Sequence, residues 1–205
     1  MKWLTNFFLF PIERILNRIQ KRAAWKSWIS LKGEFKAIGN NVLISSPYII
    51  KNARHISIGN NFSAMYNLRL EAWDEYHEQK FTPEIIIGDN VGMNTDVHIG
   101  CINKIVIGDN VLMASRIYIS DHFHGDISYE AIKIRPVGRP LVSKGEVHIG
   151  DNVWIGEGVC ILPGVTIGKN SIIGANAVVT KSFPTNCVIG GIPAVLIKKL
   201  EPNDE

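Results

Sequence analysis

Apolar residues recur along this chain every sixth position. The tetrapeptide I-G-x-N opens coils at Ile38, Ile58, Ile87, Ile107, Ile149 and Ile167, and recurs at Ile173. From Ile149 the period runs unbroken through Ile155, Ile161, Ile167, Ile173 and Val179. Upstream, the same register gives Ile38, Ile44 and Ile50, then Ile58, Ala64 and Leu70, then Ile87, Met93 and Ile99, then Ile107, Met113 and Ile119. All eighteen positions are apolar in a chain that is 46% apolar. Six fits neither a helix nor a simply alternating strand. It fits a coil of three short flat strands, each hexad forming one side of a triangular prism with its first residue inside. Coils then stack about 4.8 Å apart, and the solenoid needs several repeats and capped ends. The expected fold is all-β, a parallel β-helix of about six coils, with glycines such as Gly150, Gly156, Gly164, Gly168 and Gly174 at the corners to permit tight turns.

Successive coil starts lie 20, 29, 20, 42 and 18 residues apart, and every excess beyond 18 follows the third hexad of a coil. The insertions therefore leave the prism along one edge. The two-residue ones read as tolerated surface insertions. The long loop, 125–148, is the expected binding element, because loops gathered on one edge of a repeat protein build its binding face.

The first thirty residues break the period. Ile12, Ile15, Leu16, Ile19 and Ala23 keep helical spacing after Pro11, among Arg14, Arg18, Lys21 and Arg22 and the aromatics Trp3, Phe7, Phe8, Phe10, Trp25 and Trp28. Residues 1–30 thus read as an amphipathic helix, residues 31–198 as the β-helix, and 199–205 as a tail. The helix suits a membrane surface, a role as cap on the first coil, or packing on a neighbouring subunit. The formal charge of +3 is concentrated there, six basic residues against Glu13, so the remaining body is net negative and is not a nucleic-acid binder by charge. No stretch is long enough to span a bilayer, and no cleavable signal is convincing. Cys101, Cys160 and Cys187 are odd in number and lack metal-ligand spacing, as in a reduced cytoplasmic protein. Cytoplasmic localisation is expected, at the inner face of the membrane if residues 1–30 anchor there.

The candidate chemistry lies where the long loop departs, at Ser120-Asp121-His122-Phe123-His124. Histidine suits removal of a hydroxyl proton at neutral pH. The string D-H-F-H-G, a loop with Arg135, Pro136 and Arg139, and then VHIGDNVWIGEGVCILPGVTIGKNSIIGANAVVT resemble the left-handed β-helix acyltransferases of the hexapeptide-repeat class. Within that class they are most similar to the maltose/galactoside O-acetyltransferases and the surface-polysaccharide O-acetyltransferases. The resemblance spans residues 87–198 and implies transfer of acetyl from acetyl-CoA to a sugar hydroxyl, with no metal, by a homotrimer whose active site lies between prisms. It implies that His122 is the general base, with His124 as runner-up. Asp121 reads as a turn residue first and as an orienter of the imidazole second. By the same resemblance Ala175, Thr180 and Lys181 contact CoA, Trp154 of the W-I-G motif with Gly156 borders the acyl site, and Lys198 matches a basic position. Where the class has a basic residue after G-x-P-A, this chain has Val195, and that phosphate contact is not expected here. The N-terminal acceptor-binding segment of the maltose and galactoside enzymes has no counterpart in residues 1–37.

Asn94, Cys101, Asn103 and His124, with Trp73 and His98, are the candidates for the acceptor side, Cys101 stacking under Asp121 and Asn103 beneath Phe123. Direct attack is preferred to a covalent cysteine route, since Cys101 has no base in its own hexad. The alternatives are an N-acyltransferase on an amino sugar or amine, a zinc carbonic anhydrase using His98, His122 and His124, and a non-catalytic solenoid.

Overall fold

The computed structural model describes Arg18, residues 28–126 and residues 128–201. The chain divides into two compact units, 1–35 and 36–205. In the first, residues 28–32 are helical and the Trp28 and Phe35 rings meet edge-on at 6.3 Å. The amphipathic helix expected over 1–30 lies otherwise outside the described residues. Among these, no helix is long and apolar enough to cross a membrane.

The second unit is a three-faced parallel β-helix. Its first face stacks Ala37–Ile38, Ile56–Ile58, Glu84–Ile87, Lys104–Ile107, Val147–Ile149 and Thr166–Ile167 in order. The second stacks Leu43–Ile44, Ser63–Ala64, Gly92–Met93, Leu112–Met113, Trp154–Ile155, Ile172–Ile173 and Cys187–Gly191, and Ala194–Lys199 closes it antiparallel. The third runs from Tyr48–Lys51 through Leu68–Ala72, His98–Cys101, Tyr118–Ser120 and Cys160–Ile161 to Val178–Val179. Pairing registers align the apolar columns read from the sequence, for example Ile58, Ile87, Ile107, Ile149 and Ile167. From Ile58 onward every residue of the three columns is buried; Ile38, Ile44 and Ile50, in the first coil, are half-exposed. A second inner column two residues earlier, such as Val91, Val97, Val111 and Ile117, follows from the strand pleat.

The I-G-x-N tetrapeptide has a structural account that differs from a simple turn signal. Its asparagines, Asn41, Asn61, Asn90, Asn110, Asn152, Asn170 and Asn176, lie in the left-handed region, with φ between 55° and 59°. Asparagine tolerates that conformation, and the amides bond from coil to coil, Asn61 to Asn90 at 3.0 Å and Asn90 to Asn110 at 3.1 Å. The tetrapeptide glycines provide space instead. A Cβ on Gly88 would lie 2.8 Å from the Gly108 carbonyl carbon, and one on Gly150 would lie 2.6 Å from the Lys169 nitrogen.

Both longer excursions carry secondary structure of their own among the described residues. Residues after Ala72 form a hairpin, Glu75–Tyr76 with Gln79–Lys80. The long loop begins and ends as an antiparallel pair, His122–His124 with Leu141–Ser143, around a short helix Tyr129–Ile132. Within the segment expected as loop 125–148, Leu141–Ser143 and the start of Val147–Ile149 are therefore strand.

Candidate active site

Beyond the inner residue Ile119 the third face ends at Ser120, and the chain turns out of the prism through Asp121. The Asp121 side chain is fully buried. Its Oδ1 accepts from the Ile102 amide at 2.9 Å, and its Oδ2 accepts from the Asn103 amide at 2.8 Å and the Cys101 thiol at 3.2 Å. The His122 Nδ1 lies 2.9 Å from Oδ1. Burial alone would raise the carboxyl pKa, but the bonds from His122, Ile102, Asn103 and Cys101 outweigh it and hold it below the usual range. An ionised Asp121 takes the proton on Nδ1 as a hydrogen bond, which leaves Nε2 of His122 as the unprotonated nitrogen. The expectation of a plain turn aspartate is thus corrected: two amides from the coil below fix Asp121, and Asp121 orients the imidazole. Ser120 braces the same residue, its Oγ donating to the His122 backbone carbonyl at 3.0 Å and lying 3.3 Å from the ring Nδ1.

His122 lines a cavity of about 340 Å³ with Arg69, Glu71, Trp73, Tyr76, His98, Tyr118, Phe123, His124 and Leu141. His124 is on the rim, its Nδ1 3.4 Å from the Tyr76 hydroxyl, and it has no carboxylate partner among the described residues. Burial, and then the nearby His122, push its pKa down. Glu71 is buried, and its Oε2 accepts from both Arg69 and His98 at 2.8 Å. Burial is the main cause that lowers the His98 pKa, Arg69 adds to it, and Glu71 opposes it. Lys51 sits 3.1 Å over the Trp73 ring. The result is a pocket lined by polar and aromatic side chains beside a carboxylate–imidazole dyad, able to accept a proton from a bound hydroxyl.

Sequence reasoning found His122, His124, His98 and Trp73 but missed Arg69, Glu71, Tyr118 and Tyr76. Arg69, His98 and Tyr118 form one outward column on the third face, in register, so reading the residues that precede Leu70, Ile99 and Ile119 would have found two of the four. Tyr76 lies in the hairpin and carries no periodic signal.

Three acceptor candidates stand elsewhere within the chain. Cys101 is fully buried, its thiol donating to Asp121, and burial followed by the Asp121 charge push its pKa far above the usual thiol range. It neither lines the cavity nor forms a ready thiolate. Asn103 borders a second cavity, about 390 Å³, with Lys80, Phe81, Thr82, Ile102, Leu141 and Ser143. Asn94 shares an open groove on the second face with Met65, Leu112 and an exposed Trp154.

Of the residues assigned to CoA, Gly156 stacks on Ala175, where a Cβ would lie 2.7 Å from the Ala175 nitrogen. Thr180 and the exposed Lys181 follow Val178–Val179, two strands from Tyr118–Ser120 and so about 10 Å along the axis. Lys198 pairs with Val188 at the end of the second face. Within one chain, Trp154 and His122 occupy different faces. Among the described residues, no group of three His, Cys, Asp or Glu side chains is placed to share a metal ion.

Residues 146–181 match the bacterial transferase hexapeptide family (six repeats). An Escherichia coli (strain K12) protein assigned to lipopolysaccharide biosynthesis as an O-acetyl transferase is 40% identical over 161 residues, 77% of this chain and 78% of that protein. The crystal structure of a maltose O-acetyltransferase from Clostridium difficile 630 is 34% identical and superposes with a TM-score of 0.55 over 84% of this chain and 73% of the other. A galactoside acetyltransferase in complex with coenzyme A is 32% identical, with a TM-score of 0.58 over 85% and 70% of the two chains. The stacked hexads, the edge on which the dyad stands and these likenesses agree: the chain belongs to the hexapeptide-repeat family of left-handed β-helix acyltransferases, in its O-acetyltransferase branch.

Proposed function

We propose that this protein transfers an acetyl group from acetyl-CoA to a hydroxyl of a saccharide destined for a surface polysaccharide. The observation that carries the reading is the Asp121–His122 dyad, with Nδ1 at 2.9 Å from a fully buried carboxylate, beside a cavity lined by polar and aromatic side chains. His122 Nε2 takes the acceptor hydroxyl proton as the oxygen attacks the thioester carbonyl. The intermediate then collapses, the C–S bond breaks, and the imidazolium returns the proton to the departing CoA thiolate. Asp121 stabilises the imidazolium in between. The aromatic rings of Trp73, Tyr76 and Tyr118 offer faces for a sugar ring, and Glu71 offers its carboxylate to ring hydroxyls.

Acetyl-CoA fits residues on the C-terminal coils. Lys181 is exposed and makes no ion pair among the described residues, so it is available to a phosphate; Trp154 is exposed beside an apolar groove. Because Trp154 and His122 stand on different faces, a complete site calls for a second copy of the chain, and the working assembly is a homotrimer. Light scattering giving a fully active monomer contradicts that assembly.

The acceptor is proposed to be lipid-linked. The basic, aromatic-rich residues 1–30 support this, as do Tyr129, Ile132, Ile134 and Val137, exposed beside Lys133, Arg135 and Arg139 on the long loop. Anionic lipids attract such cations by about 1 kcal/mol each. An acceptor screen by thiol release, with free mono- and disaccharides, amino sugars and lipid-linked saccharides, tests the reading. Turnover on saccharide hydroxyls, highest for the lipid-linked form, is expected. Preference for an amine would replace it with N-acyl transfer. Vesicle flotation with and without residues 1–30 separates the membrane half from the chemistry.

A further inference from the structure

The hairpin after Ala72 and the loop after Asp121 are insertions from different coils, yet they are bonded to one another through side chains of the first and backbone of the second. Gln79 Nε2 donates to the Leu141 carbonyl at 3.1 Å, and the Leu141 amide donates to Gln79 Oε1 at 2.7 Å. Tyr76 Oη donates to the Val137 carbonyl at 2.6 Å, and His77 Nε2 lies 2.9 Å from the same oxygen. The strand Leu141–Ser143 is thus held on both edges. One edge pairs with His122–His124, in the register His122 to Ser143 and His124 to Leu141. On the other, the Gln79 amide occupies the place of a third strand, since a planar carboxamide presents one donor and one acceptor side by side as a peptide group does.

Leu141 is the residue that this amide fixes, and it stands at a partition. It is buried, and it lines both the cavity of His122 and the neighbouring cavity of Lys80, Asn103 and Ser143. A lone two-stranded ribbon is marginally stable in water. Without its outer support, Leu141–Ser143 loses definition, the partition between the cavities opens, and the strand that carries His122 loses its fixed partner.

We propose that Gln79 is a positioning residue for the Asp121–His122 dyad, holding Leu141–Ser143 against the strand that bears the base. The inference rests on the acetyl-transfer reading for its kinetic consequence, but the clamp itself is measurable without any acceptor. Misplacement of a catalytic group by about 1 Å costs up to about 100-fold in rate.

The test compares Gln79→Met, which keeps the bulk and loses both bonds, with Gln79→Glu, which keeps an acceptor for the Leu141 amide and loses the donor. Hydrogen exchange of the Leu141 amide is read on the full-length protein, together with kcat and acceptor KM on the best saccharide of the acceptor screen, and acetyl-CoA affinity by calorimetry. All are measured well below the melting temperature of each variant. Expected are faster Leu141 exchange and a kcat reduced about tenfold in Gln79→Met, an intermediate effect in Gln79→Glu, and unchanged acetyl-CoA affinity in both. A side chain needed for packing alone leaves Gln79→Met at the wild-type kcat. Wild-type kcat together with unchanged Leu141 exchange in both variants overturns the proposal. If the wild-type protein acylates no saccharide, the acetyl-transfer reading fails, while the Leu141 exchange still decides the clamp.

Discussion

Replacing Asp121 with asparagine separates the two duties that the structure gives this residue. The carboxylate accepts from the Ile102 and Asn103 amides, the Cys101 thiol and His122 Nδ1, at 2.8 to 3.2 Å, and its side chain is fully buried. Asparagine keeps one acceptor oxygen and substitutes a donor for the other. With its NH₂ on the Oδ2 side, it faces the Asn103 N–H and the Cys101 S–H, and two buried donors lose their acceptor. That costs about 1–3 kcal/mol for each unpaired group. Turned the other way, the NH₂ donates to His122 Nδ1 and traps the ring with its proton on Nε2, the form that cannot act as base. In neither orientation is there a negative charge to stabilise the imidazolium. The expected outcome is a thermal midpoint lowered by several degrees and a kcat lowered by about 10²–10⁴, measured by thiol release at a temperature where the variant is fully folded. Acetyl-CoA affinity should be unchanged. An Asp121→Asn protein with kcat within threefold of wild type would refute the dyad, whatever its stability.

Lys181→Ala should weaken acetyl-CoA binding by about 1–2 kcal/mol, more at low salt; calorimetry showing equal affinity removes Lys181 from the site. Acid should act in two stages. The folded-state pKa of His98 and His124 is lowered, so the unfolded chain takes up protons there first and stability declines as pH falls below about 6.5. Asp121, Asp74 and Glu84 are held below their usual values, so the stability they contribute is present above the ordinary carboxylate range and is lost as pH falls through their depressed pKa values. Urea midpoints from pH 8 to pH 3 check this, and a midpoint that rises between pH 7.5 and pH 5.5 contradicts it.

The solenoid was legible because each coil repeats the same physical demand. An inward apolar residue every six positions and an asparagine at the left-handed corner are local requirements, and the registers from Ile38 to Val179 follow from them. The position of His122 was legible for the same reason, since the loop must leave where a third hexad ends. Less was readable where the chain departs from the period. Asp121 looks like any aspartate at a turn; only the amides of Ile102 and Asn103, presented by the coil below, distinguish it. Cys101 stacks under Asp121 as expected, but stacking put its thiol against the carboxylate and out of the cavity. The contacts of Tyr76 and Gln79 with the long loop join residues some sixty positions apart across two irregular segments, and no periodicity encodes them.

The assignment of His122 as the base is tested most directly by comparing two alanine variants in one assay. His122→Ala and His124→Ala are measured for kcat by thiol release and for acetyl-CoA affinity by calorimetry. The geometry predicts that His122→Ala loses about 10²–10⁴ in kcat with affinity nearly intact. His124→Ala, which removes a ring with no carboxylate partner among the described residues, should lose far less. If His124→Ala is the inactive protein and His122→Ala retains turnover, the base has been misassigned and the dyad with Asp121 is structural.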